Sequence, residues 1–406
     1  MAAEPQQNVV AHPEWAEQGR QRIDWVRRNM PILERIGARF EAERPFDGLR
    51  VVVCVHLEAK TANLALTLAR GGARVAATGS NPDSTKDDVV AALAAAGVAV
   101  YARHGASLDE MRSYMRRALD IEPHVVIDDG GDLVELIEDE RPELLTTLMG
   151  VCEETTTGVR RAEERAARGA LSAPVFAVND ARCKFLFDNV HGTGQSVWDA
   201  IMRAGNTTIA GKAVLVVGFG WCGRGIALRA AGLGARVLVA EKDAVKAADA
   251  AMHGYEVAPL LDACRRADIV VTATGVAATL GAPHFAALRD GAMLANAGHF
   301  WTEIDAPALA AAAQEVVPVR AMIDGYRMPD GRWLYLLGDA HIVNIACGDG
   351  HPAEIMDTSF ALQALTAEHL VRARENLEPT VHPVPEAIDA EVARCKLEAM
   401  GLSIDG

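Results

Sequence analysis

Gly211–Asp243, GKAVLVVGFGWCGRGIALRAAGLGARVLVAEKD, decides the fold. Ala213 to Val217 is a short valine-rich run of the kind buried inside a parallel sheet. Gly218, Gly220 and Gly223 follow at the G-x-G-x-x-G spacing. The first glycine permits the tight turn, the second lets a pyrophosphate approach the backbone, and the third lets helix pack on strand. Arg224 to Ala231 continues as a helix whose N-terminus faces the phosphates. A second strand, Arg236 to Ala240, ends at Glu241. That acid lies about twenty residues past the turn, where a carboxylate binds a ribose 2′-hydroxyl and repels a 2′-phosphate. The expected cofactor is therefore NAD and not NADP.

Upstream, strands and helices alternate. Strands are expected at Leu49–Val55, Arg74–Ala77, Val98–Tyr101, Val125–Ile127 and Pro174–Val178. Helices are expected at Trp15–Asn29, Pro31–Glu43, Thr61–Arg70, Val89–Ala96, Leu108–Leu119 and Pro142–Met149. This alternation indicates a doubly wound α/β sheet, in which ligands sit beyond the carboxyl ends of the strands. Polar clusters fall at those ends: His56-Leu-Glu58-Ala-Lys60, Asn81 to Asp88, and Asp128-Asp129-Gly-Gly-Asp132. Glu153-Glu154-Thr155-Thr156-Thr157-Gly158 reads either as a capped, solvated turn or as part of a site. Lys184 and Asp188 are four apart and share a face on a helix. They are either a surface ion pair or, beside Phe185 and Phe187, a partly buried pair in which a lysine pKa can fall.

Downstream, strand Ile269–Thr272 leads into Thr274-Gly275, and strand Ala292–Asn296 into Gly298-His299-Phe300. Both are turns of small residues suited to a dinucleotide lying across strand ends. A lone histidine is usually structural; His299, after a glycine at a strand end, is instead a candidate substrate contact. Tyr335–Leu337 and His341–Cys347 read as late strands. Gly350-His351-Pro352 opens a helix at Ala353–Thr366, and Glu368–Gly406 reads as charged and helical.

At 406 residues the chain is long enough for two domains with separate cores. A formal net charge of −15 argues against nucleic acid or an anionic membrane surface as a partner. No apolar run is long enough to span a bilayer, and MAAEPQQNVV has no signal-peptide pattern. The seven cysteines are scattered without a C-x-x-C pair, as expected of reduced thiols in a cytoplasmic protein with no metal site.

Several stretches together resemble the S-adenosyl-L-homocysteine hydrolase family: SNPDSTKDD, DDGGDL, CEETTTGV, KFLFDN, GTGQSVWDAI, GFGWCGRG, NAGHF and DGHPAEIMDTSFA. The likeness runs from about Leu49 to the C-terminus. HLEAKTA, GWCGRG and DGHPAE are most similar to the compact archaeal and thermophilic branch. The resemblance implies two doubly wound, Rossmann-like domains. A discontinuous substrate domain takes 1–191 and 345–383, an NAD domain takes 192–344, and a tail takes 384–406. It also implies a homo-oligomer, tetramer or dimer.

The implied chemistry is a transient oxidation. Hydride leaves ribose C3′ for bound NAD, the ketone acidifies C4′–H, the 5′ substituent is eliminated, water adds, and the hydride returns. By resemblance, Lys184 takes the 3′-hydroxyl proton with help from Asp188, and Glu154 holds the ribose hydroxyls. His56 and Asp129 manage protons at C4′ and the 5′ leaving group. Glu58, Lys60, His299, His351, Met356 and Phe360 line the substrate, with Thr358 to Phe360 near the base. Thr155, Thr156, Thr157, Asn189, Thr274, Asn296 and Asn344 join the glycine turn and Glu241 around NAD. The Glu-x-Lys pattern leaves adenine and hypoxanthine both open as the base.

The chain departs from the family pattern at Asp83, Lys86, Val190-His191, Trp301, Asp339-Ala340-His341 and the terminal SIDG. These lie around the pocket and tail, while the redox residues stay. Two activities therefore remain: hydrolysis of S-adenosyl- or S-inosyl-L-homocysteine, and dehydration of a nucleoside to a 4′,5′-unsaturated product of the angustmycin type. A regulatory protein with NAD held and no turnover is a third reading, weakened because Lys184, Asp188, Glu154, Asp129 and His56 are all retained.

Overall fold

The computed structural model describes residues 8–299 and 301–404. Residues 1–7, Phe300 and the last two residues of SIDG therefore lie outside the described residues. The chain forms two compact units, Met1–Phe185 with Ala353–Gly406, and Leu186–Pro352. Residues 186–191 and 345–352 thus fall in the second unit, and 384–406 in the first. The local reasons are plain. The Val190 carbonyl lies where a Cβ on Gly225 would be, and Gly350 N–H bonds the Asn344 carbonyl at 2.9 Å. Helix Glu386–Ala399 buries Val392, and its Lys396 Nζ reaches the Glu354 carbonyl at 2.6 Å.

Six strands precede the crossing: β1 (Arg50–Cys54), β2 (Arg74–Thr78), β3 (Ala99–Tyr101), β4 (Val125–Asp128), β5 (Gly150–Glu153) and β6 (Val175–Ala177). Eight belong to the second unit: β7 (Ala213–Val217), β8 (Arg236–Ala240), β9 (Glu256–Val257), β10 (Ile269–Thr272), β11 (Ala292–Asn296), β12 (Glu315–Arg320), β13 (Ile323–Arg327) and β14 (Trp333–Leu337). The last, β15 (Val381–Pro383), returns to the first.

The first sheet has the order β15-β6-β5-β4-β1-β2-β3 and every pairing is parallel. Its centre is apolar on both faces: Val51, Val52, Val53, Val125, Val126 and Ile127 are fully buried, as helices on both sides of a parallel sheet require. Strand order reverses between β1 and β4, so the ligand crevice is expected at their carboxyl ends.

The second sheet has the order β12-β13-β14-β11-β10-β7-β8-β9. It reverses between β7 and β10, and the hairpin β12–β13–β14 adds antiparallel pairing at one edge. Pro318 is tolerated there because β12 is the edge strand.

Three expectations are corrected. Pro142–Met149 is only a short 3₁₀ turn, Pro142–Thr146, and the chain then enters β5, which sequence reading missed. His341–Cys347 is not a strand. After a left-handed turn at Asp339 and Ala340 it touches the sheet through one bridge, Asn296 to Ile342, and coils into helix Val343–Ala346. Glu368–Gly406 is interrupted by β15, which pairs with β6. Among the described residues no helix is long and apolar enough to cross a membrane.

Candidate active site

In the first unit the register sets the site. Cys54, Asp128 and Glu153 are aligned across β1, β4 and β5. His56, Asp129 and Glu154 therefore leave neighbouring strand ends at the switch point, one or two residues beyond the sheet. His56 Nδ1 is 2.8 Å from Ser84 Oγ. Ser84 donates its own proton to the Asn81 carbonyl at 2.7 Å, so it accepts from Nδ1–H and leaves Nε2 to exchange protons. Nε2 lies 3.6 Å from Asp129 Oδ2, and that oxygen accepts from Ser80 Oγ at 2.8 Å. Ser84 of the Asn81–Asp88 cluster thus orients the histidine, and Ser80, just before that cluster, orients the aspartate.

Lys184 and Glu154 are both 5% exposed, and Lys184 Nζ is 3.2 Å from Glu154 Oε1. This is the buried alternative for the lysine, not a solvated surface charge. Glu154 Oε2 accepts from Gln363 Nε2 at 2.6 Å, and Gln363 Oε1 is a buried acceptor with no partner among the described residues. The segment leading into Lys184 is pinned from the C-terminal helix, because Asp389 accepts the Arg182 and Cys183 N–H groups, each at 2.8 Å. Lys184 then opens a π-helical stretch, Lys184–Gly192. Gln363, Ser80, Ser84 and Asp389 were missed by sequence reasoning. Ser80 and Ser84 stand in a stretch already singled out, while Gln363 and Asp389 give no local signal.

Glu58 N-caps helix Ala59–Arg70. Its Oε2 takes both the Lys60 N–H at 3.1 Å and Lys60 Nζ at 2.8 Å. The pair offers one acceptor and one donor at the same place. Met356 and Phe360 lie on helix Ala353–Ala373 at 9% and 1% exposure, so Phe360 is a core residue. Thr155 caps helix Thr156–Ala167 and donates its hydroxyl to Glu153 at 2.8 Å; Thr156 is exposed and Thr157 half-buried.

In the second unit Gly218 has φ 95°, and a Cβ on Gly223 would sit 1.9 Å from the Gly218 carbonyl. A Cβ on Gly220 would project into open space, the space that a phosphate approaching the backbone needs. Helix Trp221–Gly232 starts at this turn. Glu241 accepts the Phe219, Lys242 and Asp243 N–H groups at 2.7, 2.7 and 2.9 Å. Partial burial raises its pKa, but those backbone bonds outweigh it and keep the carboxyl below its ordinary value. Thr274 does not present a free hydroxyl. Its Oγ1 and N–H both bond Glu303 Oε2, at 2.8 and 2.9 Å.

Asn296 is fully buried and bonds Thr272, Gly298 and the Ala340 carbonyl, so it builds the turns under the site. Asn344 Nδ2 donates to Ser196 at 3.0 Å, while its Oδ1 is buried without a partner among the described residues. That orphaned acceptor suits a carboxamide donor, and with the glycine turn and Glu241 the residues fit NAD. Asp188 Oδ1 lies 2.6 Å from His351 Nδ1, whose other nitrogen is 3.3 Å from Thr193 Oγ1. His351 therefore orients Asp188. Asn189 is buried beside Asp188 on the same π-helical stretch, and His299 is half-buried. Trp301 stacks on His341, with ring centroids 6.1 Å apart, so two separate departures from the family pattern meet in space.

Comparison with known proteins agrees with this geometry. Residues 7–142 match the model of S-adenosyl-L-homocysteine hydrolase and residues 189–350 that of its NAD binding domain. The chain is 53% identical to the "Adenosylhomocysteinase" of Pyrococcus abyssi, over 96% of this chain and 92% of that one. It is 51% identical to the "S-inosyl-L-homocysteine hydrolase" of Methanothermobacter thermautotrophicus, over 96% and 94%. It is 50% identical to the "Adenosylhomocysteinase" of Thermotoga maritima, over 95% and 96%. Identity of this degree over nearly the whole chain, with an NAD-binding domain at the glycine turn, makes the chain a member of the S-adenosyl-L-homocysteine hydrolase family.

Proposed function

We propose that this protein is an NAD-dependent hydrolase of the thioether bond of a nucleosidyl-L-homocysteine, releasing nucleoside and L-homocysteine. The carrying observation is the buried Lys184–Glu154 pair beside the His56–Asp129 pair at the switch point of the first sheet. Bound NAD supplies a reversible acceptor for the C3′ hydride. Lys184 takes the 3′-hydroxyl proton as that hydride leaves, and Glu154 with Gln363 grips the ribose hydroxyls. Oxidation at C3′ makes C4′–H acidic. Asp129 and His56 Nε2 then remove that proton and supply one to the departing sulfur, and the same groups deprotonate the water that adds at C5′. His351 holds Asp188 in the orientation from which it supports Lys184.

The base is the open point. A purine 6-amino group donates to a carboxylate, and a 6-oxo group accepts from an ammonium. The Glu58–Lys60 pair presents both groups, which favours keeping S-inosyl-L-homocysteine beside S-adenosyl-L-homocysteine. Thiol release from each, with product analysis, tests the reading. Homocysteine and an intact nucleoside support hydrolysis, whereas no homocysteine from either thioether, together with a 4′,5′-unsaturated product from adenosine or inosine, refutes it in favour of the dehydratase. Lys184→Ala should lower cofactor reduction by adenosine or inosine roughly 10²–10⁴-fold while the protein keeps its NAD; unchanged reduction would remove Lys184 from the mechanism. Light scattering checks the expected homo-oligomer.

A further inference from the structure

Asp128 and Glu153 stand immediately before two residues of the proposed reaction, Asp129 and Glu154, yet have no step in it. They end adjacent parallel strands, face each other across the register, and are 0% and 1% exposed. Asp128 uses both oxygens. Oδ1 accepts the Asp129 N–H at 3.1 Å, and Oδ2 those of Leu133 and Val134 at 3.0 and 3.2 Å. Glu153 uses one. Oε1 accepts the Gly130 and Thr155 N–H groups, each at 2.9 Å, and the Thr155 hydroxyl at 2.8 Å. Its Oε2 is buried without a partner among the described residues. Arg161, on the helix above, is instead bonded to the Gly130 carbonyl and Asp132. Two negative charges side by side and out of water, with no cation bonded to either among the described residues, are strongly disfavoured. The oxygen with room for a proton is Glu153 Oε2.

We propose that Asp128 and Glu153 are a positioning pair, one carboxylate and one neutral acid, that fixes the backbone turns carrying Asp129 and Glu154. The proposal rests on the hydrolase reading, because it acts through those two residues. Burial, with the neighbouring acids adding to it, raises both carboxyls above their ordinary values, so the pair keeps a shared proton. Cys54 from β1, and Asp128 and Asp129 from the end of β4, face Glu153. Glu135 from helix Asp132–Glu140, and Arg161, Glu164, Arg165 and Arg168 from helix Thr156–Ala167 and its end, share with it a cavity of about 190 Å³. Asp132 adds its charge to Asp128. Ionising Glu153 puts two anions in contact and loosens both turns, so kcat falls on the alkaline side.

The test compares wild type, Glu153→Ala, Glu153→Gln and Asp128→Asn across neutral and alkaline pH. It measures kcat, KM and hydrogen exchange at the Asp129, Gly130 and Thr155 amides. Glutamine matches the neutral acid, with an amide nitrogen where Oε2 has no partner. Glu153→Gln should keep kcat within about threefold and lose the alkaline decline. Glu153→Ala should lower kcat roughly 10–100-fold with KM little changed, the scale expected of displaced catalytic groups, and should expose the Gly130 and Thr155 amides. Asp128→Asn must turn its NH₂ toward a backbone N–H and should be impaired as severely. A merely structural role would lower the melting temperature and leave kcat of the folded enzyme unchanged. Wild-type kcat in Glu153→Ala, equal impairment in a folded Glu153→Gln, or an unchanged alkaline decline in Glu153→Gln would overturn the pairing. If Glu153→Ala does not fold, the contrast between Glu153→Gln and Asp128→Asn still decides. If wild type releases no homocysteine, the hydrolase reading fails, while amide exchange still judges the pair.

Discussion

Glu153 in the first unit and Glu303 in the second do similar work with different chemistry. Each is buried, each collects N–H groups from the turns that follow sheet strands, and each is pressed against a glycine. A Cβ on Gly158 would lie 2.1 Å from Glu153 Cδ, and one on Gly298 would lie 1.6 Å from Glu303 Oε1. The surroundings differ. The strand-end pair next to Glu303 is neutral, with Thr272 donating to Asn296 at 2.9 Å. The corresponding pair in the first sheet is Asp128 and Glu153 themselves. Glu303 also spends both oxygens, Oε1 on Gly275 N–H at 2.7 Å and Oε2 on Thr274 N–H and hydroxyl. A buried carboxyl with N–H or O–H donors on both oxygens works as an anion. One with a single occupied oxygen and an acid for a neighbour works as a neutral group. The contrast separates a nucleotide unit with one anchored charge from a substrate unit whose framework can exchange a proton.

The contrast predicts opposite results from the same substitution. Glu303→Gln must point its NH₂ at Thr274 N–H or Gly275 N–H. Leaving such a donor unsatisfied costs about 1–3 kcal/mol, so the variant should melt lower and lose NAD during purification. Glu153→Gln has no such conflict and should do neither. Cofactor released on denaturation and a thermal melt measure both. A Glu303→Gln protein with full NAD and an unchanged melt would show that its two oxygens are not both needed as acceptors.

A smaller effect follows from pH. Burial and the neighbouring Asp128 raise Glu153 well above its ordinary value, so the folded chain binds the pair's proton more tightly than the unfolded chain. The associated stability is fully present below about pH 4 and is lost progressively as pH rises from there through the raised value of the folded pair. One extra bound proton gives a slope of about 1.4 kcal/mol per pH unit. Carboxyls held low, such as Glu140 at about 2, act only in acid and do not mask it. Denaturant titrations from mildly acid to alkaline pH should show the decline in wild type and a shallower one in Glu153→Gln. Equal slopes would mean that the pair does not share its charge.

Much of this was legible in the chain. The run Ala213–Val217 is β7, and the glycines behave as their spacing demands, because a backbone turn of that kind has few solutions. His56 and Asp129 could be singled out because charged residues at the ends of apolar strands need a reason, Lys184 because it stands beside Phe185 and Phe187, and Glu154 because paired acids precede a hydroxyl run. The supporting residues were hidden for physical reasons. Strand β5 is only four residues long, begins with a glycine and ends in an acid that a second acid follows, so its periodicity resembles a loop and Glu153 reads with its neighbour and not as the end of a strand. Glu303 follows an exposed tryptophan in a turn, and only the tertiary fold places it under Thr274. Asp389 lies some two hundred residues from the N–H groups it receives, and no local pattern carries that distance. The strand expected at His341–Cys347 failed because a left-handed entry at Asp339–Ala340 turns the chain off the sheet.

The smallest predicted effect probes that backbone directly. Ala278 and Ala340 both sit in the left-handed region, with φ 53° and 62°, and both belong to the second unit. A side chain there costs about 1–2 kcal/mol, while glycine gives back about 0.5–1 kcal/mol through the freedom of the unfolded chain. Ala278 is exposed, in the loop after the turn that Glu303 anchors, with its N–H on the Thr302 carbonyl at 2.7 Å. Ala278→Gly should therefore stabilise by about 0.5 kcal/mol. Ala340 is fully buried in the core of its unit. Removing its methyl forfeits about 0.8 kcal/mol of burial, so Ala340→Gly should be neutral or slightly destabilising. Equal stabilisation by both substitutions, read from denaturant midpoints, would mean that packing around Ala340 adds nothing and that backbone strain alone sets the cost at both turns.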